Sequence, residues 1–224
     1  MPETLTIYDT LLRLPLFQGM SSSDLQEIVS RIRFGFRRHS RNTTVISEGT
    51  PCEGLLFLLD GETEIISTAA DRSYNVTEEL PAPCVIEPER VFGLRQHYLR
   101  TYRTRSTAHF LHIRKDDTML LTSEFMVFRL NLLNVLSAQS QKFLHEQWRS
   151  HAGDDSERIR RFLVSRCAIP SGRKLFRIKM RQLAAETGLT RNEVSLVLNT
   201  LENEGKLTLR RGIIDVPDIK ILQQ

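Results

Sequence analysis

The sequence predicts an α+β protein with an antiparallel β-roll or jelly roll, then a long helix, then a C-terminal winged helix-turn-helix. Three observations lead to this fold class. Short β-type runs broken by Gly, Pro and Asp fill residues 34–113, residues 118–148 contain neither Gly nor Pro, and residues 180–216 read as two short helices followed by strand, turn and strand. We expect three segments: the β-roll at 1–117, the long helix with a hinge at 118–150, and the winged helix-turn-helix at 151–224.

Local signals place the first elements. Residues 5–33 are predicted to be helical, with a break at Pro15. Residues 55–59 are all apolar, as expected of a strand that is covered on both faces. The Asp60-Gly61 pair that follows predicts a two-residue hairpin leading into a strand over residues 62–67. A further strand is predicted over residues 106–113.

Two apolar tracks run along the first half of the predicted long helix. One track contains Phe125, Phe128, Leu132 and Val135, and the other contains Met126, Leu130 and Leu133. A helix of about 30 residues rises roughly 45 Å, which is too long for a small β domain to cover alone. We therefore expect one track to pack on the β-roll and the Met126 track to meet a second copy in a homodimer. The alternative is a core helix that is buried on one side.

Charge is distributed unevenly along the 224 residues, which carry a net charge of +4. Residues 150–224 hold 14 Lys and Arg against 9 Asp and Glu, whereas residues 1–149 hold 17 against 18. The positive excess therefore lies entirely in the C-terminal third. A basic surface there is what binding to nucleic acid requires.

Several other classes of protein are not suggested. The first 13 residues lack the basic start and apolar stretch of a signal peptide, and the densest apolar run is far too short to cross a bilayer. We therefore expect a cytoplasmic protein with no membrane partner. Cys52, Cys84 and Cys167 are odd in number and widely spaced, so we expect buried reduced thiols rather than disulfides or a metal site.

Residues 180–199 fit a helix-turn-helix position by position. Ala184 is small where the two helices would cross closely, and Gly188 supplies the left-handed turn between them. Apolar side chains at Leu183, Val194 and Val197 would seat both helices on the core. The motif therefore predicts a second helix whose outward face is free to enter a DNA groove.

Thr190 and Glu193 carry the signature of a capping box at the start of that second helix, so Glu193 is assigned to the cap rather than to DNA. The candidate base-reading residues are then Arg191, Asn192, Ser195 and Asn199. Arg191 can direct a fork of donors to guanine O6 and N7.

Residues 206–216 predict a wing made of a strand, a basic turn and a second strand. The candidate phosphate contacts are Lys179, Arg181, Thr190, Arg210 and Arg211, which would fix register on double-stranded DNA without reading sequence.

Taken together, these motifs resemble the Crp/Fnr family of bacterial regulators over residues 11–216. The resemblance also includes residues 14–17, 21–25, 48–49 and 58–61. It implies a β-roll of the cyclic-nucleotide-binding type, a homodimer through the long helix, a two-fold symmetric operator, and contact with RNA polymerase if the protein is an activator. In that family the position matching Arg191 contacts a guanine. The positions matching Asn192 and Leu196 are commonly Glu and Arg, so these departures predict a different half-site.

The residues that hold cyclic AMP in that family are not found here. Its cyclic-AMP-binding members carry a Gly-Glu pair for the ribose and an Arg-Ser pair for the phosphate, and these positions fall near Glu87-Pro88 and on Tyr98-Leu99. We therefore expect that cyclic AMP is not the effector, which stays unknown. A basic stretch forms a candidate effector pocket for an anion, with a solvated face as the alternative; its residues are Arg90, Arg95, Arg100 and Arg103.

No catalytic residue, cofactor or metal site is predicted. His109 and His112 would lie on opposite faces of one strand, and no Cys cluster accompanies them or His97. One alternative is a metal-dependent enzyme of the cupin type, but such a site needs a His-x-His pair, which the sequence lacks. A second alternative is a ligand-sequestering module that does not bind DNA.

Overall fold

A computed structural model describes residues 6–147 and 153–223, without the side chains of residues 142, 143 and 145–147. The chain divides into two compact units. The roll unit combines Met1–Thr63 with Pro81–His145, and the C-terminal unit combines Glu64–Leu80 with Glu146–Gln224. The C-terminal unit therefore includes a segment, residues 64–80, that lies in the middle of the β-rich part of the sequence.

Short strands and helices alternate along the described chain. The strands are β1 (Gly35–His39), β2 (Thr44–Ile46), β3 (Gly54–Asp60), β4 (Thr63–Thr68), β5 (Asn75–Leu80), β6 (Cys84–Ile86), β7 (Thr101–Thr104), β8 (Ala108–Arg114), β9 (Lys174–Arg177), β10 (Thr208–Arg210) and β11 (Ile213–Val216). The helices are α1 (Ile7–Leu12), α2 (Ser22–Arg31), α3 (Lys115–Glu124), α4 (Met126–Gln147), α5 (Asp155–Ser165), α6 (Met180–Thr187) and α7 (Arg191–Asn203). Short 3-10 turns occupy Pro88–Arg90 and Ile219–Gln223.

An antiparallel sheet in the order β1-β8-β3-β6 forms the centre of the roll unit, and β2 pairs with β7. As predicted, β3 is covered on both faces: the side chains of Leu55, Phe57 and Leu58 are fully buried. Phe17 packs on Phe57 and on Phe128, with ring centroids 6.1 Å and 5.1 Å apart. These contacts join the N-terminal segment, the sheet and α4 in one apolar core.

The other local predictions at the start of the chain are confirmed. Helices α1 and α2 occupy the predicted helical region and are separated at Pro15. Thr6 and Ser21 cap them, each accepting a hydrogen bond from the backbone N–H three residues on. The three cysteines are free thiols; Cys52 and Cys167 are buried, and Cys84 is partly buried.

The single helix predicted over residues 118–148 is wrong, because the chain breaks at Phe125 into α3 and α4, which are bent by 112°. Phe125 has an extended backbone, with φ of −108° and ψ of 102°, and its side chain is buried. The backbone of Phe125 still forms helical hydrogen bonds on both sides of the bend: Phe125 N donates to Leu121 O, and Arg129 N donates to Phe125 O. Burying a Phe contributes about 1.5–3 kcal/mol, more than the ~1 kcal/mol of a hydrogen bond lost at the bend.

In the described residues, no single helix is long and apolar enough to span a bilayer; only the bent pair of α3 and the first part of α4 passes that test of length and composition.

The hairpin predicted at Asp60-Gly61 is also wrong. Strand β3 pairs with β6 and β8, whereas the following strand, β4, has β5 as its hairpin partner. Gly61 has a φ of +92°, and a Cβ on it would lie 2.5 Å from Thr107 O and 2.6 Å from Ala108 Cα. The turn therefore packs tightly against residues 107–108 and leads the chain out of the central sheet instead of folding it back along β3.

The C-terminal unit is built on a sheet in the order β10-β11-β9-β5-β4, so the β4-β5 hairpin extends the sheet of the wing. Strands β5 and β9 are antiparallel, and Val76 pairs with Phe176. Both side chains enter the apolar core on which helices α5, α6 and α7 pack, together with Phe162, Leu183 and Leu198. No local pattern in the sequence indicated that residues 64–80 belong to this core.

A buried ion pair joins the hairpin to β9. Glu78 and Lys174 occupy paired positions, their side chains are fully buried, and Lys174 Nζ lies 3.0 Å from Glu78 Oε1. The remaining capacity of the carboxylate is satisfied by the backbone N–H groups of Ala168 (2.8 Å) and Ile169 (3.0 Å). Lys174 Nζ also donates to Ser171 O at 2.7 Å. Every charged atom therefore has a partner, which is the condition under which buried charges are tolerated.

We predict that Glu78→Ala lowers the free energy of unfolding of the C-terminal unit by about 3–5 kcal/mol, because it leaves the Lys174 ammonium buried and unpaired. Combining Glu78→Met with Lys174→Met should cost far less than Glu78→Ala. The matched control is Thr77→Ala, which removes an exposed hydrogen bond from Arg177 at the neighbouring position. Urea unfolding of the full chain measures all three. Equal losses for Glu78→Ala and Thr77→Ala would contradict a dominant role for the pair.

Candidate DNA-binding surface

Helices α6 and α7 form the predicted helix-turn-helix. Gly188 ends α6 with a φ of +67°, a left-handed conformation that Gly adopts without strain. Leu183 and Ala184 of α6 and Val194 of α7 are buried in the core, as predicted, and Val197 packs against it while partly exposed. The two helices are thus held by apolar packing on one side, and their polar residues remain on the other.

Arg158 fixes the turn between the helices, a role that the sequence analysis missed. Its Nη2 donates to Thr187 O at 2.6 Å and to Gly188 O at 3.3 Å. These carbonyls stand at the C-terminal end of α6, where a cation is favoured by the helix dipole. A Cβ at position 188 would lie 2.8 Å from the same nitrogen, so a larger residue would displace the end of the Arg158 side chain, and the φ is what requires Gly188. The contact spans about thirty residues of sequence and leaves no local signal.

The capping box predicted at the start of α7 is confirmed. Thr190 N donates to Glu193 Oε2 at 2.7 Å, and Glu193 N donates to Thr190 Oγ1 at 3.3 Å. The hydrogen bonds with Thr190, that from its backbone N–H first, hold the pKa of the Glu193 carboxyl below its usual value. Because Glu193 is engaged at the cap, it does not compete with its neighbours on the outward face of the helix.

The candidate base-reading residues share one exposed face of α7. Arg191, Asn192 and Asn199 are exposed, and Ser195 is partly exposed. Leu196 lies among them and is 70% exposed, an unusual position for a large apolar side chain. The face therefore offers a guanidinium, two amides, a hydroxyl and an apolar group within about three turns of helix.

The wing is formed by β10 and β11, with Arg211 and Gly212 in the turn between them. Gly212 has a φ of +72°. Leu209 N donates to Glu202 Oε1 at 2.6 Å, which ties the wing to the C-terminal part of α7. The position of the wing relative to α7 is thus fixed by a direct hydrogen bond.

The candidate phosphate contacts are all exposed in the C-terminal unit. Lys179 is the N-cap residue of α6, Arg181 lies in its first turn, and Arg210 and Arg211 lie at the tip of the wing. Thr190 is the N-cap residue of α7, and its hydroxyl oxygen accepts the capping hydrogen bond. These residues therefore lie at two helix N-termini and one turn, positions where backbone N–H groups also favour anions.

The candidate effector residues do not all come together. Arg90 and Arg100 approach the buried carboxylate of Glu87, with nitrogen-to-oxygen distances of 3.8 Å and 3.3 Å. Arg95 and Arg103 are exposed. The structure thus divides the predicted basic stretch into an inner pair, whose partner is an acidic side chain of the chain itself, and an outer pair.

The two apolar tracks of the long helix differ in burial, as predicted. Phe128 and Leu132 are buried in the roll unit. Met126, Leu130 and Leu133 are 64%, 50% and 52% exposed. The exposed side chains lie at positions i, i+4 and i+7 of α4 and form one apolar stripe.

Comparison with known proteins agrees with these features. Residues 157–224 match the Crp-like helix-turn-helix domain. The chain is similar in structure to the catabolite activator protein of Thermus thermophilus, with 20% sequence identity, 93% of this chain and 96% of that chain covered, and a TM-score of 0.54. It is also similar to the sensor domain of the transcriptional regulator DNR from Pseudomonas aeruginosa, with 16% identity, 61% of this chain and 89% of that chain covered, and a TM-score of 0.51. No curated protein matches the sequence.

The predicted α+β fold class, with its C-terminal winged helix-turn-helix, is confirmed by the domain match and by the fold. The cupin-type alternative offers no explanation for the helix-turn-helix domain at residues 157–224. Residues 157–224 thus belong to the Crp-like helix-turn-helix domain family, within a chain whose fold is similar to that of the catabolite activator protein.

Proposed function

We propose that the protein is a homodimeric, sequence-specific regulator that binds a two-fold symmetric operator through α7 and responds to a signal other than cyclic AMP. The observation that carries the proposal is the exposed face of α7 with Arg191, Asn192, Ser195 and Asn199, in the same unit as the exposed basic tip of the wing. In a helix-turn-helix protein, this face enters the major groove.

Base reading would fall to the residues at the N-terminal part of α7. Arg191 matches a guanine through O6 and N7, and the side-chain amide of Asn192 can pair with an adenine through N6 and N7. Ser195 and Asn199 extend the face along the groove. The phosphate contacts proposed for Lys179, Arg181, Thr190, Arg210 and Arg211 would orient the helix and supply the salt-dependent part of the affinity.

A homodimer would follow from the apolar stripe of α4. Met126, Leu130 and Leu133 together expose a surface that the roll unit does not cover, and a second copy of α4 offers the same stripe. Two-fold pairing of the chains would place two copies of α7 on the two halves of an operator. RNA polymerase is a further partner if the regulator is an activator.

The effector is proposed to differ from cyclic AMP because Tyr98 and Leu99 stand at the positions expected for the phosphate-binding pair. A ligand-sequestering module that does not bind DNA is the remaining alternative. Selection from random double-stranded DNA by the purified full chain distinguishes the two, since only a regulator enriches a two-fold symmetric sequence.

We predict that Arg191→Ala lowers affinity for the selected operator and relaxes the preference at one base pair in each half-site, by about 1–3 kcal/mol of discrimination. Arg210→Ala should instead weaken all sequences alike and reduce the salt slope by about one. Lys220→Ala is the matched control, because it removes an exposed cation from the 3-10 turn Ile219–Gln223, outside the predicted surface. Fluorescence anisotropy at several salt concentrations measures these effects. The docking geometry is wrong if Arg191→Ala and Arg210→Ala both behave like the control.

We predict that Leu196 contacts a thymine methyl group in each half-site. Its 70% exposed side chain lies one helical turn from Asn192 and from Asn199, and burial of one methyl contributes about 0.8 kcal/mol, or roughly fourfold in affinity. Replacing the selected thymines one at a time by deoxyuridine, which lacks the methyl, should reveal one position with this loss. Leu196→Ala should abolish the loss, whereas Arg191→Ala should retain it. A uniform response of wild-type protein to every replacement would contradict the contact.

We predict that Leu130→Glu raises the dissociation constant of the dimer at least about 30-fold, because it places a charge in the middle of the apolar stripe. The fold should persist, since the Leu130 side chain is half exposed. Gln139→Glu is the matched control, with a new charge at an exposed position on the opposite side of α4 by helical spacing. Sedimentation equilibrium measures the change. An unaltered dimer in Leu130→Glu would exclude the stripe as the interface.

A further inference from the structure

The carboxylate of Glu87 is surrounded by hydrogen-bond donors inside the roll unit. Its side chain is only 2% exposed. Oε2 accepts from Leu99 N at 2.7 Å, and Oε1 accepts from the Tyr102 hydroxyl at 3.0 Å and from Arg100 Nη1 at 3.3 Å. Arg90 Nε lies 3.8 Å from Oε2. One carboxylate therefore accepts hydrogen bonds from a backbone N–H, a phenol and one guanidinium group, and a second guanidinium group lies at ion-pair distance.

This donor set is the kind that binds a bare oxyanion. Backbone N–H groups, hydroxyls and guanidinium forks recur wherever proteins bind carboxylate or phosphate, since each directs a proton at an oxygen with little water between them. The donors come from two segments, the 3-10 turn Pro88–Arg90 and residues 99–102. Donors from both segments meet at the Glu87 carboxylate, so the site is formed by the tertiary fold and not by a single loop.

The donors also exceed what Glu87 uses. Arg90 Nε is buried and has no hydrogen-bond partner in the described part of the chain. Two guanidinium groups face the single buried carboxylate, while the neighbouring Glu89, at 3.9 Å from Arg90, is about one-third exposed. The cluster therefore retains donor capacity that a larger anion would satisfy.

The backbone at Glu87 supports the same reading. Its φ of +38° and ψ of 55° lie in the left-handed region, where a residue with a Cβ is strained. Such a conformation persists only where the surroundings over-determine it. The side chain makes no capping hydrogen bond to the turn that it precedes. The contacts of the carboxylate, and not the local sequence, are what hold the residue there.

We propose that this cluster is an oxyanion-binding site whose ligand is the protein's own Glu87 carboxylate. The built-in carboxylate occupies the place of an external phosphate or carboxylate, so an anionic effector does not bind there in the wild-type protein. The inference deepens and rests on the proposed function, in which the regulator does not respond to cyclic AMP. On this proposal, the protein does not respond to cyclic AMP because Glu87 already occupies the site, and not only because the family's phosphate-binding side chains are absent.

The test is rescue by added anions in the full-length protein. Removing the carboxylate by Glu87→Ala should lower Tm, and inorganic phosphate or acetate should restore it saturably, by about 5–10 °C at 100 times the dissociation constant. Chloride at equal ionic strength should not. Wild-type protein should show no saturable shift with phosphate or acetate, and no micromolar binding of cyclic AMP in calorimetry.

Two variants serve as controls. Glu89→Ala removes the same charge near Arg90 but leaves the site occupied, so it should show no saturable rescue. Combining Glu87→Ala with Arg100→Ala should abolish the rescue, because a donor of the site is lost. If Glu87→Ala does not fold in chloride, the same rescue is measured with Glu87→Gly, because Gly relieves the strain at this φ and also removes the carboxylate.

A simple structural ion pair gives a different result. Glu87→Ala would then be destabilised equally in chloride, phosphate and acetate, and that outcome, or the same response from Glu87→Gly, overturns the proposal. Saturable binding of phosphate to wild-type protein at this site overturns it as well. Tm is measured without DNA, so a failure of operator selection would count against the proposed function and leave this result intact.

Discussion

The buried pair of Glu78 and Lys174 is the interaction on which the C-terminal unit depends. Charges at these two positions are costly unless each finds its partner, and the partners meet only when β5 and β9 pair in register. A shift of one residue in either strand would turn its charged side chain to the opposite face of the sheet, away from the partner. The pair therefore specifies register where Val76 and Phe176 alone would allow apolar alternatives, and it seats the β4-β5 hairpin in the same sheet as the wing.

The position of the proposed base-reading face of α7 depends on this packing through several contacts. The sheet and helices α5 to α7 share one core, Gly188 and Arg158 set the turn, and Glu202 ties the wing to α7. Each contact is a hydrogen bond or a buried side chain, so the candidate base-reading groups are held by rigid elements rather than by loops. A precise docking surface requires such support, because misplacement by about 1 Å weakens directional contacts.

The sequence predicted features whose cause is local and missed those whose cause is distant. The Thr190–Glu193 capping box and the Gly188 turn lie within a few residues of one another, and both were predicted and found. The Asp60-Gly61 signal was read as a hairpin because turn chemistry does not reveal which strand will pair. The break at Phe125 has no Gly or Pro to mark it, since it depends on burial in the roll core. The candidate effector arginines had a basic pattern, but nothing local indicated that Glu87 would meet two of them.

The positive charge of the C-terminal third lies in the unit that matches a helix-turn-helix domain, and the structure shows how that charge is distributed. Several of its cations already have partners within the unit: Lys174 is buried against Glu78, Arg158 binds the carbonyls of the turn, and the exposed Arg173 pairs with Asp215, which lowers the pKa of that carboxyl. The charges of these cations are therefore balanced by groups of the unit itself. The field available to a phosphate backbone comes from the smaller set at the N-termini of α6 and α7 and at the wing tip, where helix dipoles add to it. Position along the elements, more than the total charge, is therefore what makes this unit suited to DNA.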